Sequence, residues 1–483
     1  MNARPNRKPN PQQTMETTIA SDLPIEAHAK NCRFRNVHPG GVMTTCVAAL
    51  IALLLAQAPG HAQGAEPAAE PESRYIMIMR AQGQVFAEAH PETFNRENML
   101  EVAGHFPSYS PGNEINVGVG GMFSYFRYDI EVVEESLRRF LALSKELDVP
   151  IWIRLDGEHW LDARPDLWNW WDPEMPGYDP DNARNVEWTH WGPEHAIKVS
   201  WRNWGRQIRV RPAINLMSPE YRAANEEALE RIIPLIAEWY ESLPADRKGL
   251  FAGISGGGET AFGVNSYYYP NGNDVLGEPE SADPNRLLVL EDTLSRGVQQ
   301  IGYAALASAG IREEGDIEEA ELVEVCRRHV EWTARKMHEL GLPRERIYSH
   351  TFGNKHGEAL FDAAVNEYSV PGWSSYWHTT DILEDPGVVR NIARPDVPHW
   401  GSVEWLLLFP TDRTELWKRA VSNTINAPGL KLMCILNWEG IDGPESTVPE
   451  AINAVIDAGL QPRELPGGPR DERDKSLYEI EGG

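Results

Sequence analysis

Short apolar runs alternate along the chain with stretches in which apolar residues recur every three or four positions. Residues 75–80 (YIMIMR), 151–155 (IWIRL), 250–255 (LFAGIS), 346–350, 372–377, 403–409 and 430–437 read as strands. Ile130, Val133, Leu137 and Leu141 form a helix stripe that Pro150 closes. Ser218-Pro219-Glu220 opens a second helix with an N-cap, a first-turn proline and an acid, and Leu229, Ile232, Ile233, Ile236 and Trp239 carry its apolar face. Leu322, Val325, Cys326, His329, Val330 and Met337 mark a third, and further helices are predicted over 357–368, 411–426 and 448–458. Seven or eight such strand–helix units over about 390 residues predict an α/β fold, a (β/α)₈ TIM barrel spanning 74–465. A long Trp-rich insertion, 160–217, follows an early strand.

The ends read differently. Residues 47–56 (VAALIALLLA) are too short to span a bilayer, which takes about 20 apolar residues. Arg33, Arg35 and His38 precede this run, and small residues close it at Ala56-Gln57-Ala58 and Gly60-His61-Ala62. That order predicts a secretory signal region over 1–62 and a secreted or periplasmic protein without stable membrane insertion. Residues 63–73 read as a linker and 466–483 as a polar tail.

With 45 basic and 72 acidic residues the formal charge is −27, a surface that repels nucleic acid and anionic membranes. Past the signal region two cysteines remain, Cys326 and Cys434, both in apolar patterns that read as buried thiols. No strand leads into GxGxxG or GxxxxGK[ST], so nucleotide signatures are missing. Ser255 is outside any GxSxG. His159, His190 and His195 lack metal-ligand spacing, so neither metal nor cofactor is expected.

Barrel chemistry sits beyond the C-terminal ends of the strands. Glu259 follows Gly256-Gly257-Gly258, a crowded strand end that leaves the acid open to a ligand, and aromatics including Tyr267 come soon after. Glu404 is embedded among Val403, Leu406, Leu407 and Leu408, where an acid is costly unless it is paired or has a role. Arg154, Asp156, Glu158, His159 and Trp160 crowd the end of another strand, and Trp438 and Glu439 follow the last.

Nine of the 17 tryptophans fall between Trp152 and Trp204, amid polar residues such as Asp172, Asn182 and His190. Indole planes beside hydroxyl-binding side chains suit sugars, although about half of these rings are expected to be core. Residues 195–219 carry Lys198, Arg202, Arg206, Arg209 and Arg211 with no Asp or Glu up to Ser218, a strip suited to a carboxylated or sulfated sugar or to structural pairing.

This layout resembles the clan of retaining glycoside hydrolases built on (β/α)₈ barrels. There, an acid/base glutamate ends strand four and a nucleophile glutamate ends strand seven, the places taken here by Glu259 and Glu404. The resemblance also implies an arginine near the end of strand two, a tyrosine on strand six and a tryptophan on strand eight, matched by Arg154, Tyr376 and Trp438. The clan often has Asn before its acid/base; here it is Gly258. The expected activity is cleavage of a poly- or oligosaccharide through two carboxylates, with Tyr376 and Arg154 holding Glu404 ionised and Trp160, Trp377 and Trp438 as sugar platforms. The alternatives are a non-catalytic glycan-binding barrel, or a polysaccharide lyase with His159 or His350 as base.

Overall fold

The computed structural model describes residues 73–80, 85–203, 207–262, 268, 299–352, 359–377 and 380–465. The predicted signal region, the linker up to residue 72, the tail and Tyr267 lie outside these residues, as does the side chain of Trp377.

Eight strands close into a barrel: β1 Arg74–Met79, β2 Ile115–Phe123, β3 Ile151–Leu155, β4 Phe251–Thr260, β5 Ile347–Thr351, β6 Val370–Trp377, β7 Trp400–Leu407 and β8 Leu430–Ile435. Each pairs in parallel with the next in the chain, and β8 pairs with β1. With helices between the strands this is the expected (β/α)₈ TIM barrel.

Side chains alternate across the wall. Ile76 and Ile78 face the layer between barrel and helices, while Tyr75, Met77 and Met79 join Trp152, Ala252, Tyr348, Val370, Val403, Leu432 and Cys434 in a separate cluster that fills the lumen. β2 contributes glycines there. A Cβ on Gly118 would stand 2.6 Å from Met77 Cε, and one on Gly120 2.9 Å from Met79 Cβ, so the two methionines occupy the space β2 leaves empty.

The helices that position the site are α1 (Pro219–Glu241) and α2 (Glu319–Glu339). α1 is capped as expected, the Tyr221 amide donating to Ser218 Oγ. α2 opens with a reciprocal Glu318–Glu321 capping box and buries Leu322, Val325, Cys326 and His329 on one face. Cys326 and Cys434 are buried free thiols. Between β3 and α1 the insertion runs through short 3₁₀ turns and a hairpin, Ser200–Asn203 with Gln207–Val210. Its rings divide: Trp168, Trp188 and Trp201 are buried, while Trp170, Trp171 and Trp191 are partly exposed. Among the described residues no helix is long and apolar enough to cross a membrane.

Candidate active site

Both candidate glutamates sit where a strand breaks register. On β4, Gly256 is level with Ser349 of β5 and Thr260 with Thr351, so four steps on one strand match two on the other. The surplus bulges outward, with Gly257 and Glu259 both left-handed at φ +92° and +55°. On β7, Ser402 and Glu404 are level with consecutive residues Trp373 and Ser374 of β6, and a matching slip faces β8. Bulges are rare between parallel strands and re-aim side chains near active sites.

The three glycines before Glu259 yield to protein groups rather than to a ligand, which corrects the expectation for that run. A Cβ on Gly257 would fall 2.1 Å from Glu158 Oε1, and one on Gly258 2.6 Å from Arg154 Nη2. The guanidinium thus lies against the residue that precedes the acid, where the related clan often has Asn.

Arg154 Nη1 is 2.9 Å from Glu404 Oε2. Ser374 Oγ donates to the same oxygen at 3.4 Å and lies 2.8 Å from His350 Nε2. His350 Nε2 is itself 3.6 Å from Glu404 Oε2. Burial, then Arg154 and His159, hold the His350 imidazole well below its ordinary pKa, so the ring is neutral. Burial opposes the Arg154 cation, yet Glu404, Glu259 and Asp156 raise its pKa above the usual value. The nearest approach of all three falls on Oε2, and among the described residues no hydrogen bond to Glu404 Oε1 is formed.

Glu259 accepts from the Tyr376 hydroxyl at 2.8 Å. This differs from the expectation that Tyr376 serves Glu404. The reason is register: Ser374 is level with Glu404, whereas Tyr376 is level with Leu406, farther along the strand. Burial and then the Glu404 charge raise the Glu259 pKa to about 7, against the lowering pull of Arg154, Tyr376 and Ser374. Burial followed by the Glu259 and Glu404 charges holds Tyr376 well above the ordinary phenol value. The Arg154 guanidinium lies between the two acids, Nη1 on Glu404 Oε2 and Nη2 against Gly258, the residue before Glu259.

Other expected sugar contacts turn inward. Asp156 accepts the Glu158 and His159 amides and the His159 ring at 3.0 Å, fixing the loop after β3. Burial resists its charge, but His159 and Arg154 hold it below the usual carboxylate range. Both Glu158 oxygens accept from Thr260 Oγ, and His329 Nε2 is 3.2 Å from Oε1. Asp156, Glu158, His159 and His350 are all buried and hold the protein's own loops and acids. Trp438 is fully buried against Phe106 and offers no platform face, a second correction. Trp160 is half-buried with the Arg127 guanidinium 4.5 Å over its ring, and Glu439 is partly exposed in the four-residue helix Trp438–Ile441. Arg154 stands on the third strand, not the second, because β2 precedes it.

In the basic strip, Lys198 lies over Trp170 and Trp171, and Arg211 over Trp168 and near Asp162. Cation–π stacking within the insertion therefore accounts for much of the pattern. Arg202 differs. It is buried, which lowers its pKa, and Glu158, Asp156 and Glu259 counteract that.

Ser374, Thr260 and His329 are site residues with no local motif to mark them. Among the described residues no three His, Cys, Asp or Glu side chains converge as a metal site.

No family model and no curated protein matches the chain. Solved structures similar in outline include a GH26A protein from Muricauda sp. (7% identity, 80% of this chain and 89% of that one, TM-score 0.37). An exo-β-1,4-mannosidase from Opitutaceae bacterium strain TAV5 has 11% identity, 81% and 61% coverage and a TM-score of 0.39. The GH26 endo-β-1,4-mannanase of Bacillus sp. JAMB-750 has 7% identity, 80% and 86% coverage and a TM-score of 0.38. Likeness this distant carries no argument about activity, which rests on the side chains themselves.

Proposed function

We propose that the protein is a secreted glycoside hydrolase that cleaves a poly- or oligosaccharide with retention of anomeric configuration. The observation that carries this reading is the convergence of two buried carboxylates on the Arg154 guanidinium at the C-terminal end of the barrel, Nη1 lying 2.9 Å from Glu404 Oε2 and Nη2 against Gly258, the residue before Glu259. Carboxyl groups about 5–5.5 Å apart act through a covalent intermediate, and wider pairs admit a water between them. The narrower arrangement is proposed from the resemblance of the layout to the retaining clan.

The two acids stand in different surroundings, as their roles require. Glu259 keeps its proton to about pH 7 and donates it to the leaving glycosidic oxygen. Glu404, held through Oε2 by Arg154, attacks the anomeric carbon with Oε1 as the bond to that oxygen breaks. Glu259, now a carboxylate, takes a proton from water, which displaces Glu404 from the sugar. His159 and His350, the candidate bases of a lyase, are buried and turned toward Asp156 and Ser374.

Secretion is proposed from the pattern over 47–62. Selection of an anionic sugar is proposed from the basic strip over 195–219, in which Arg202 is buried and influenced by Glu158, Asp156 and Glu259.

Incubation with a panel of neutral and uronic-acid oligosaccharides tests the reading. Wild type should release reducing ends, and Glu259→Gln and Glu404→Gln should each abolish release. Binding without cleavage, unchanged in both variants, would identify a glycan-binding barrel; an unsaturated product absorbing in the ultraviolet would identify a lyase.

A further inference from the structure

Glu259 is a non-glycine residue with positive φ at the outer end of a two-residue bulge. Such a conformation costs about 1–3 kcal/mol and persists only where the surroundings over-determine it. The group in contact with both flanks of the bulge is Glu158. Its Oε1 occupies the space beside Gly257 where a Cβ would be. Thr260, immediately after Glu259, donates its hydroxyl to both Glu158 oxygens at 2.8 and 2.9 Å. His329, from the buried face of α2, closes the set at 3.2 Å from Oε1.

We infer that Glu158 is the positioning residue for Glu259: wedged under the β4 bulge and braced by His329, it aims the acid/base through Thr260. Glu158 itself is buried, its oxygens engaged by Thr260 and His329. Every element around it presents a polar or titratable group. Asp156 and His159 come from its own loop, Tyr125 follows β2, and Tyr221 comes from α1. Arg202 comes from the hairpin, Cys326 and His329 from α2, and Thr260 from β4. Burial works against its charge, while His329 and His159 hold its pKa below the ordinary value. Glu158 is thus an anion at neutral pH and an acceptor for the Thr260 hydroxyl.

This inference rests on the hydrolase reading for its name, but its test does not. Thr260→Val keeps the shape and removes the hydroxyl; Thr260→Ser keeps the hydroxyl. Thr260→Val should lower kcat roughly ten- to hundredfold with KM little changed, and shift the alkaline limb of the pH profile, whereas Thr260→Ser should restore both. Glu158→Gln and His329→Gln should shift that limb as well. In parallel, a carbon-13 NMR titration of the glutamate carboxyls, with Glu259 assigned from Glu259→Gln, reads its pKa directly. A Glu259 titration that differs between wild type and Thr260→Val, and returns in Thr260→Ser, supports the positioning role even if no sugar in the panel is cleaved. An unchanged Glu259 titration in Thr260→Val and Glu158→Gln overturns it, whatever the activity.

Discussion

Arg154 and Glu404 make their shortest contact at one oxygen: Nη1 lies 2.9 Å from Oε2, and Ser374 and His350 approach that same atom. A buried ion pair is weak support for stability, but one that fixes an anion suits a nucleophile.

Arg154→Met should leave Glu404 buried without its cation. The expected loss is about 3–5 kcal/mol of stability, read by urea denaturation at pH 7. Arg154→Lys, which keeps the charge but not the planar fork, should fold better and still lose activity.

The pH profile follows from Glu259. Its native pKa of about 7 against the ordinary 4.5 means that the folded chain holds this proton over an interval in which the unfolded chain has released it. Stability from this group is present below pH 4.5 and declines as pH rises toward 7. kcat/KM should likewise fall above about pH 7 as the general acid loses its proton. Glu259→Gln should flatten that interval of the stability curve, as measured by thermal unfolding across pH.

Gly258→Ala places a methyl group against the Arg154 guanidinium and should reduce kcat more than stability. Gly257→Ala meets Glu158 Oε1 at a positive φ and should cost about 1–3 kcal/mol. Comparing kcat and unfolding midpoints for the two variants separates the effects.

A second raised carboxyl lies away from the site. Glu187, in the insertion, is fully buried and accepts the Gly302 amide at 2.9 Å. Burial, opposed by backbone hydrogen bonds, raises its pKa to about 8. Its contribution to stability should therefore fade as pH rises from 4.5 to 8, and Glu187→Gln should match wild type near pH 5 but exceed it near pH 9 in thermal unfolding.

Barrel architecture was legible from strand–helix alternation, and so were the two glutamates, because each breaks an apolar or glycine pattern at a strand end. β2 was not. Its INVGVGGMF sequence is half glycine by alternation, since Met77 and Met79 from β1 fill the lumen in its place. Missing it displaced Arg154 by one strand. The cluster Asp156, Glu158 and His159 was visible as chemistry, but its orientation depended on partners far along the chain, Thr260 and His329. Trp438 read as a platform because a sequence shows an indole but not that Phe106 covers it. Lys198 and Arg211 likewise carried charge on the page while their stacking on tryptophans emerged only in three dimensions.

The most direct test of the two-carboxylate proposal is the configuration of the first product. Proton NMR of a cleaved oligosaccharide, recorded before mutarotation, should show the anomer of the substrate, as required when Glu404 forms a glycosyl ester that Glu259 helps water to open. Initial appearance of the opposite anomer would contradict it, since a water would then have attacked directly and Glu404 would never have been bonded to the sugar.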